Sequence, residues 1–181
     1  MGISFRGGIL LAGAALAAGC GTVEDGRSSR GISVTRTHLG GEIARGEVAV
    51  EPRFATQAAG GAYRPEFGAA VADELRALGF APAATPATSE FIATVDVAAG
   101  TQAALFARAP GTPGSVAAPD ALATQLTVGL VRRSDGSIIW RGRALAPSRA
   151  GGAICPATVQ SLARAMFRDF PGETGRTITV R

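Results

Sequence analysis

Apolar and polar residues alternate along several short stretches of the chain and recur at helical spacing along two others. Ile32 to His38 and Gly46 to Glu51 carry period-two patterns; in the second, Val48 and Val50 share a face opposite Glu47 and Glu51, and Pro52 ends the run. Phe91 to Ala99 alternates Phe91, Ala93, Val95 and Val97 against Thr94 and Asp96, which predicts a strand. Arg176 to Arg181 alternates with Ile178 and Val180 on one face and predicts another. Pro65 suits the first turn of a helix over 65–78, in which Phe67, Ala70, Val71, Leu75 and Leu78 form one stripe. Gly79 fits the left-handed position after that helix, and Phe80 can fold back on its last turn. Pro156 opens a second helix over 156–170, with Val159, Leu162, Ala163, Met166, Phe167 and Phe170 on one side, and Pro171-Gly172 stops it. Between 100 and 120, three prolines, three glycines and many alanines predict a mobile loop, pinned by Leu105-Phe106.

Residues 121–146 predict a hairpin whose register can be argued. A two-residue turn at Asp135-Gly136 would place Leu126, Val128 and Leu130 on the face of Arg141 and Arg143. A three-residue loop, Ser134-Asp135-Gly136 with Gly136 left-handed, shifts the pairing by one. Leu126, Val128 and Leu130 then join Ile138, Trp140, Gly142 and Ala144, while Thr127, Arg133, Arg141 and Arg143 share the other face with Val131 and Ile139. Burial selects the second register, because a one-residue slip inverts a whole face. The expected fold is α/β: one mixed, mostly antiparallel sheet with the two helices packed on one face, as a single domain over 32–181.

The N-terminus predicts export. Arg6 gives a short charged region, and an apolar run from Ile9 to Ala18 follows, about half the roughly 20 residues needed to span a bilayer. Leu16-Ala17-Ala18-Gly19-Cys20 closes the run with small residues before a cysteine. This resembles a bacterial lipobox, although Ala17 stands where the pattern most often has Leu; the resemblance implies a 1–19 signal peptide and diacylglyceryl transfer to Cys20. The rival is an ordinary cleaved signal followed by an incidental cysteine. Gly21, rather than the Asp that marks inner-membrane retention in well-studied lipoproteins, points by analogy to the periplasmic face of the outer membrane. Residues 20–31 lack hydrophobic periodicity and read as lipidated Cys plus a flexible tether, reaching roughly 18 Å.

Composition narrows the chemistry. All 18 basic residues are Arg, so lysine chemistry, from P-loops to Schiff bases, is excluded. The chain holds one His and two Cys. Acylation would consume Cys20, so no zinc site can be assembled, and Cys155 would be left no disulfide partner within the chain. His38 and Cys155 lie far apart with no motif around either. Asp73 and Glu74 are adjacent and point to different sides of a helix, and with Glu66 they read as a solvated face. The glycine clusters lack the strand–helix setting of a dinucleotide site. Removing Arg6 with the signal leaves 17 Arg against 14 acids, a net +3, scattered and without an aromatic stripe, which together with export argues against nucleic acid.

A wider resemblance rests on an ordered set of motifs. These are Leu75-Arg76-Ala77-Leu78-Gly79-Phe80 at the first helix end, the strand from Phe91, Ser134-Asp135-Gly136-Ser137-Ile138-Ile139-Trp140-Arg141-Gly142 in the hairpin, and Met166-Phe167-Arg168-Asp169-Phe170-Pro171 closing the second helix. Behind a lipobox, this set resembles the bacterial envelope lipoproteins of the domain of unknown function 4136 family, over about residues 30–181. The resemblance implies a compact α/β envelope domain and supplies no catalytic residue. The expected function is therefore a lipid-anchored, non-catalytic binding or scaffolding domain without cofactor or metal. Arg133, Arg141 and Arg143 are its expected contact with an anionic lipid or envelope protein partner. The alternatives are a carrier of an apolar ligand between sheet and helices, or an enzyme with a site near the 100–120 loop.

Overall fold

A computed structural model describes residues 31–52, 64–107, 119–148 and 154–181. Seven strands form one sheet: β1 (Ile32–His38), β2 (Glu47–Pro52), β3 (Ala81–Pro82), β4 (Phe91–Thr101), β5 (Leu122–Arg132), β6 (Ile138–Pro147) and β7 (Thr177–Val180), in the order β3-β2-β4-β5-β6-β1-β7. Only β2 with β3 and β2 with β4 pair in parallel; the other neighbours are antiparallel. The parallel β2–β4 pair requires a crossover, which α1 (Pro65–Ala77) supplies. Helix α3 (Pro156–Phe167) connects β6 to β7, and the short α2 (Gln102–Ala107) follows β4.

Helices α1 and α3 cover one face. Phe67, Val71 and Leu75 of α1 and Val159, Leu162 and Met166 of α3 share a core with Val34, Val95, Val97, Leu126, Val128, Leu130 and Trp140. Trp140 is fully buried, stacked on Phe167 at 5.2 Å, and its Nε1–H donates to the Pro171 carbonyl at 3.0 Å. No space remains between sheet and helices at Gly142, where a Cβ would overlap Trp140 and Met166.

The expected helix punctuation is present at α1: Gly79 has φ +92° and the Phe80 N–H donates to the Leu75 carbonyl at 3.0 Å. Helix α3 ends at Phe167, earlier than the pattern through Phe170 suggests, because Asp169 turns left-handed at φ +56°. Phe170 still packs inward, on Trp140 and Phe80.

The hairpin register follows the second alternative, with Leu126 opposite Ala144, Val128 opposite Gly142 and Leu130 opposite Trp140. The turn departs from the three-residue loop. The Arg132 N–H donates to the Ser137 carbonyl and the Gly136 N–H to the Arg132 carbonyl, which closes a four-residue loop with Gly136 at φ +68°. A bulge restores the register: Val131 pairs with Ile138, so Ile139 is the extra residue. The two isoleucines thereby exchange their expected places, Ile139 buried and Ile138 exposed.

The 100–120 stretch is only partly the expected loop. Its first residues form α2, and Leu105 is buried on Ala98 and Ala123 on the sheet face away from α1 and α3. Residues 108–118 lie outside the described residues.

Candidate functional site

The sheet face opposite the two long helices presents polar side chains in rows fixed by the pairing register. One row runs Asp96, Thr127, Arg143, Thr35, Thr177; the next runs Glu51, Thr94, Gly129, Arg141, Thr37. Thr35 and Thr177 share a hydroxyl hydrogen bond at 2.7 Å. The Arg143 Nε–H donates to Gln125 Oε1 at 2.9 Å, and Gln125 Nε2 donates to Thr127 Oγ1 at 3.0 Å. Phe106 of α2 lies over the Arg143 guanidinium at 4.9 Å. Burial in this setting pushes the Arg143 guanidinium below its ordinary pKa.

The three hairpin arginines do not form one accessible face. Arg143 is 5% exposed beneath Phe106. Arg133 belongs to the turn and reaches back to the segment before β4: its Nε donates to the Ser89 carbonyl at 2.8 Å, and its terminal nitrogen contacts Ser89 Oγ and the Pro86 carbonyl. Arg141 alone stays half-buried on the polar face. The physical reason is reach. A guanidinium on a long stem finds fixed carbonyls outside the strand ladder, which a face assignment from periodicity does not anticipate.

Two further arginines close the long helices. Arg36 is 4% exposed and sits in β1 on the core side, in register with Gly142. Its Nε donates to the Met166 carbonyl at 2.8 Å, and its Nη2 donates to the Ala165 and Arg168 carbonyls at 3.1 and 2.7 Å. These acceptors belong to the C-terminal turn of α3, whose last carbonyls lack intrahelical partners and carry the negative end of the dipole. Burial lowers the Arg36 pKa, and the Asp169 charge acts in the opposite direction. Arg45 does the same for α1, donating to the Leu78 carbonyl at 2.9 Å while its guanidinium lies between the Phe80 and Phe170 rings, 5.0 Å from each. One sequence signal marked Arg36: the period-two pattern of β1 puts it on the side of Val34.

The singled-out nucleophile and base are engaged elsewhere. The Gly40 N–H donates to His38 Nδ1 at 3.1 Å, so the imidazole proton resides on Nε2, which donates to the Gly172 carbonyl at 3.0 Å. Cys155 is disulfide-bonded, which corrects the expectation that it has no partner. The chain's other cysteine, Cys20, lies outside the described residues. Among the described residues no three His, Cys, Asp or Glu side chains cluster to hold a metal, and no helix is long and apolar enough to cross a membrane.

No family model and no curated protein matches the chain. Among solved structures, a PDZ domain protein from Parabacteroides distasonis aligns with a TM-score of 0.53 at 9% identity, over 82% of this chain and 39% of that one. It shares the fold. A PelC dodecamer from Paraburkholderia phytofirmans aligns with a TM-score of 0.42 at 17% identity, over 75% of this chain and 94% of that one.

Proposed function

We propose that the chain is an exported, lipid-anchored envelope domain of the domain of unknown function 4136 type, held at the periplasmic face of the outer membrane, and that it works by binding rather than catalysis. The observation that carries the reading is the short apolar run ending at Ala18-Gly19-Cys20, some eleven residues before the first strand of the domain. The state of the reactive groups is consistent with it: His38 has both nitrogens bonded to backbone, and Arg36 and Arg133 are spent on carbonyls. A carrier role has less support, since the space between sheet and helices is filled at Gly142 and a cleft opens instead along the outside of α3.

A second reading is favoured by the disulfide at Cys155. The chain has one other cysteine, Cys20, and a sulfur held in a thioether cannot also form a disulfide. An acylated chain therefore lacks this bond. A chain cleaved by an ordinary signal peptidase keeps it and is soluble in the periplasm. Intact mass separates the two. Acyl chains on an N-terminal Cys20, with a Cys155 thiol that alkylates without reductant, support the anchored protein. A soluble species two hydrogens lighter than its reduced form supports the second reading and ends the first.

A further inference from the structure

The crest of α3 carries Arg164 and Arg168, both exposed, on the side away from the sheet. Leu78 at the end of α1 flanks the crest on one side; Ile32 and Val180, at the β1–β7 edge, flank it on the other, with Arg181 beside them. These groups line a cleft of about 490 Å³, within the size range of sites that hold small amphiphiles. The arginines are only loosely neutralised. Arg164 stands 3.9 Å from Glu74, a half-buried carboxylate that also lines the cleft, and Arg168 stands 3.9 Å from the exposed Asp169, a separation at which an exposed pair contributes little. A phosphate offers a guanidinium a better, bidentate partner. The tether enters the domain at this edge, because Gly31 packs against the Val180 carbonyl and Ile32 lines the cleft. Only 11 residues separate Cys20 from Ile32, so an anchor at Cys20 would hold this edge near the headgroups.

We propose that this edge docks on the anchoring leaflet, with phosphates of anionic phospholipids on Arg164, Arg168 and Arg181 and the apolar rim of the cleft at Ile32, Leu78 and Val180 against the acyl boundary. The proposal rests on the lipid-anchored reading, yet its test does not use the anchor. The mature chain, residues 20–181, carrying Cys20→Ser and Cys155→Ser is sedimented with vesicles of phosphatidylcholine alone and with vesicles that also contain phosphatidylglycerol. Binding is expected only to the anionic vesicles and should weaken with added salt. The triple variant Arg164→Gln, Arg168→Gln, Arg181→Gln should partition roughly 100-fold less, about five-fold per arginine. Its thermal midpoint should match the parent, since all three side chains are exposed. Equal partition of parent and triple variant, or equal binding to both vesicle types, overturns the docking surface. So does stoichiometric uptake of a single-chain fatty acid without vesicle binding, which would make the cleft a carrier site. Loss of acylation by intact mass removes the anchor while vesicle binding can persist, so the two failures are distinguishable.

Discussion

Replacing Arg36 by Met keeps the length and apolar bulk of the stem and deletes every donor. Three carbonyls at the end of α3, those of Ala165, Met166 and Arg168, then lose the guanidinium that caps them. A hydrogen bond to a charged donor contributes about 1.5–3 kcal/mol, so three in isolation would approach 4.5–9 kcal/mol. The sum is too large, because one guanidinium makes all three and the helix-end carbonyls regain some water. Its burial also carries a desolvation penalty that Met does not. A loss of about 3 kcal/mol is expected. For a domain of this size that is a fall of roughly 6–12 °C in midpoint. Arg36→Lys should fall between, since an ammonium cannot present the planar fork that spans the three acceptors. Urea unfolding read by Trp140 fluorescence measures both variants, with an unchanged slope showing that only stability has moved. An Arg36→Met protein within about 1 kcal/mol of the parent, or more stable than it, would refute the capping argument and leave desolvation as the larger effect.

Gly142→Ala should destabilise by about 1–3 kcal/mol, because its methyl overlaps Trp140 and Met166; the shift in urea midpoint checks it. Arg133→Gln should release the segment at Pro86–Ser89, visible as faster amide exchange at the Arg133 N–H, which donates to the Glu90 carbonyl, with global stability lowered by no more than about 2 kcal/mol. Hydrogen bonds from the Ser137 hydroxyl and N–H, then the neighbouring Arg132, hold the Asp135 carboxyl below the usual carboxylate range. Its folded pKa is depressed, so its stabilisation is complete above the unfolded value near 3.9 and is lost only as pH falls through the lower folded value. The Ser137 amide shift, followed by NMR, should stay constant down to that range and move below it; movement already near neutrality would contradict this.

Period and punctuation in the sequence determined the elements that local chemistry controls. The helix starting at Pro65 and ending at Gly79, the β1 span, the burial of Trp140 and the main hairpin register were all legible, because each follows from side-chain periodicity or a backbone preference of neighbouring residues. The bulge at Ile139 was not, since it compensates a four-residue turn whose extra residue only the pairing of two strands reveals. The destinations of Arg36, Arg45, Arg133 and Arg143 were also decided by the tertiary structure. Their hydrogen-bond acceptors lie between 2 and 130 or more residues away in sequence, and a guanidinium on four rotatable bonds is fixed by the acceptors that surround it, which the face its Cα occupies does not reveal. Arg133 and Arg143 are therefore not part of an open charged face on the hairpin, where periodicity alone had gathered them, while Arg164 and Arg168 stand exposed at α3.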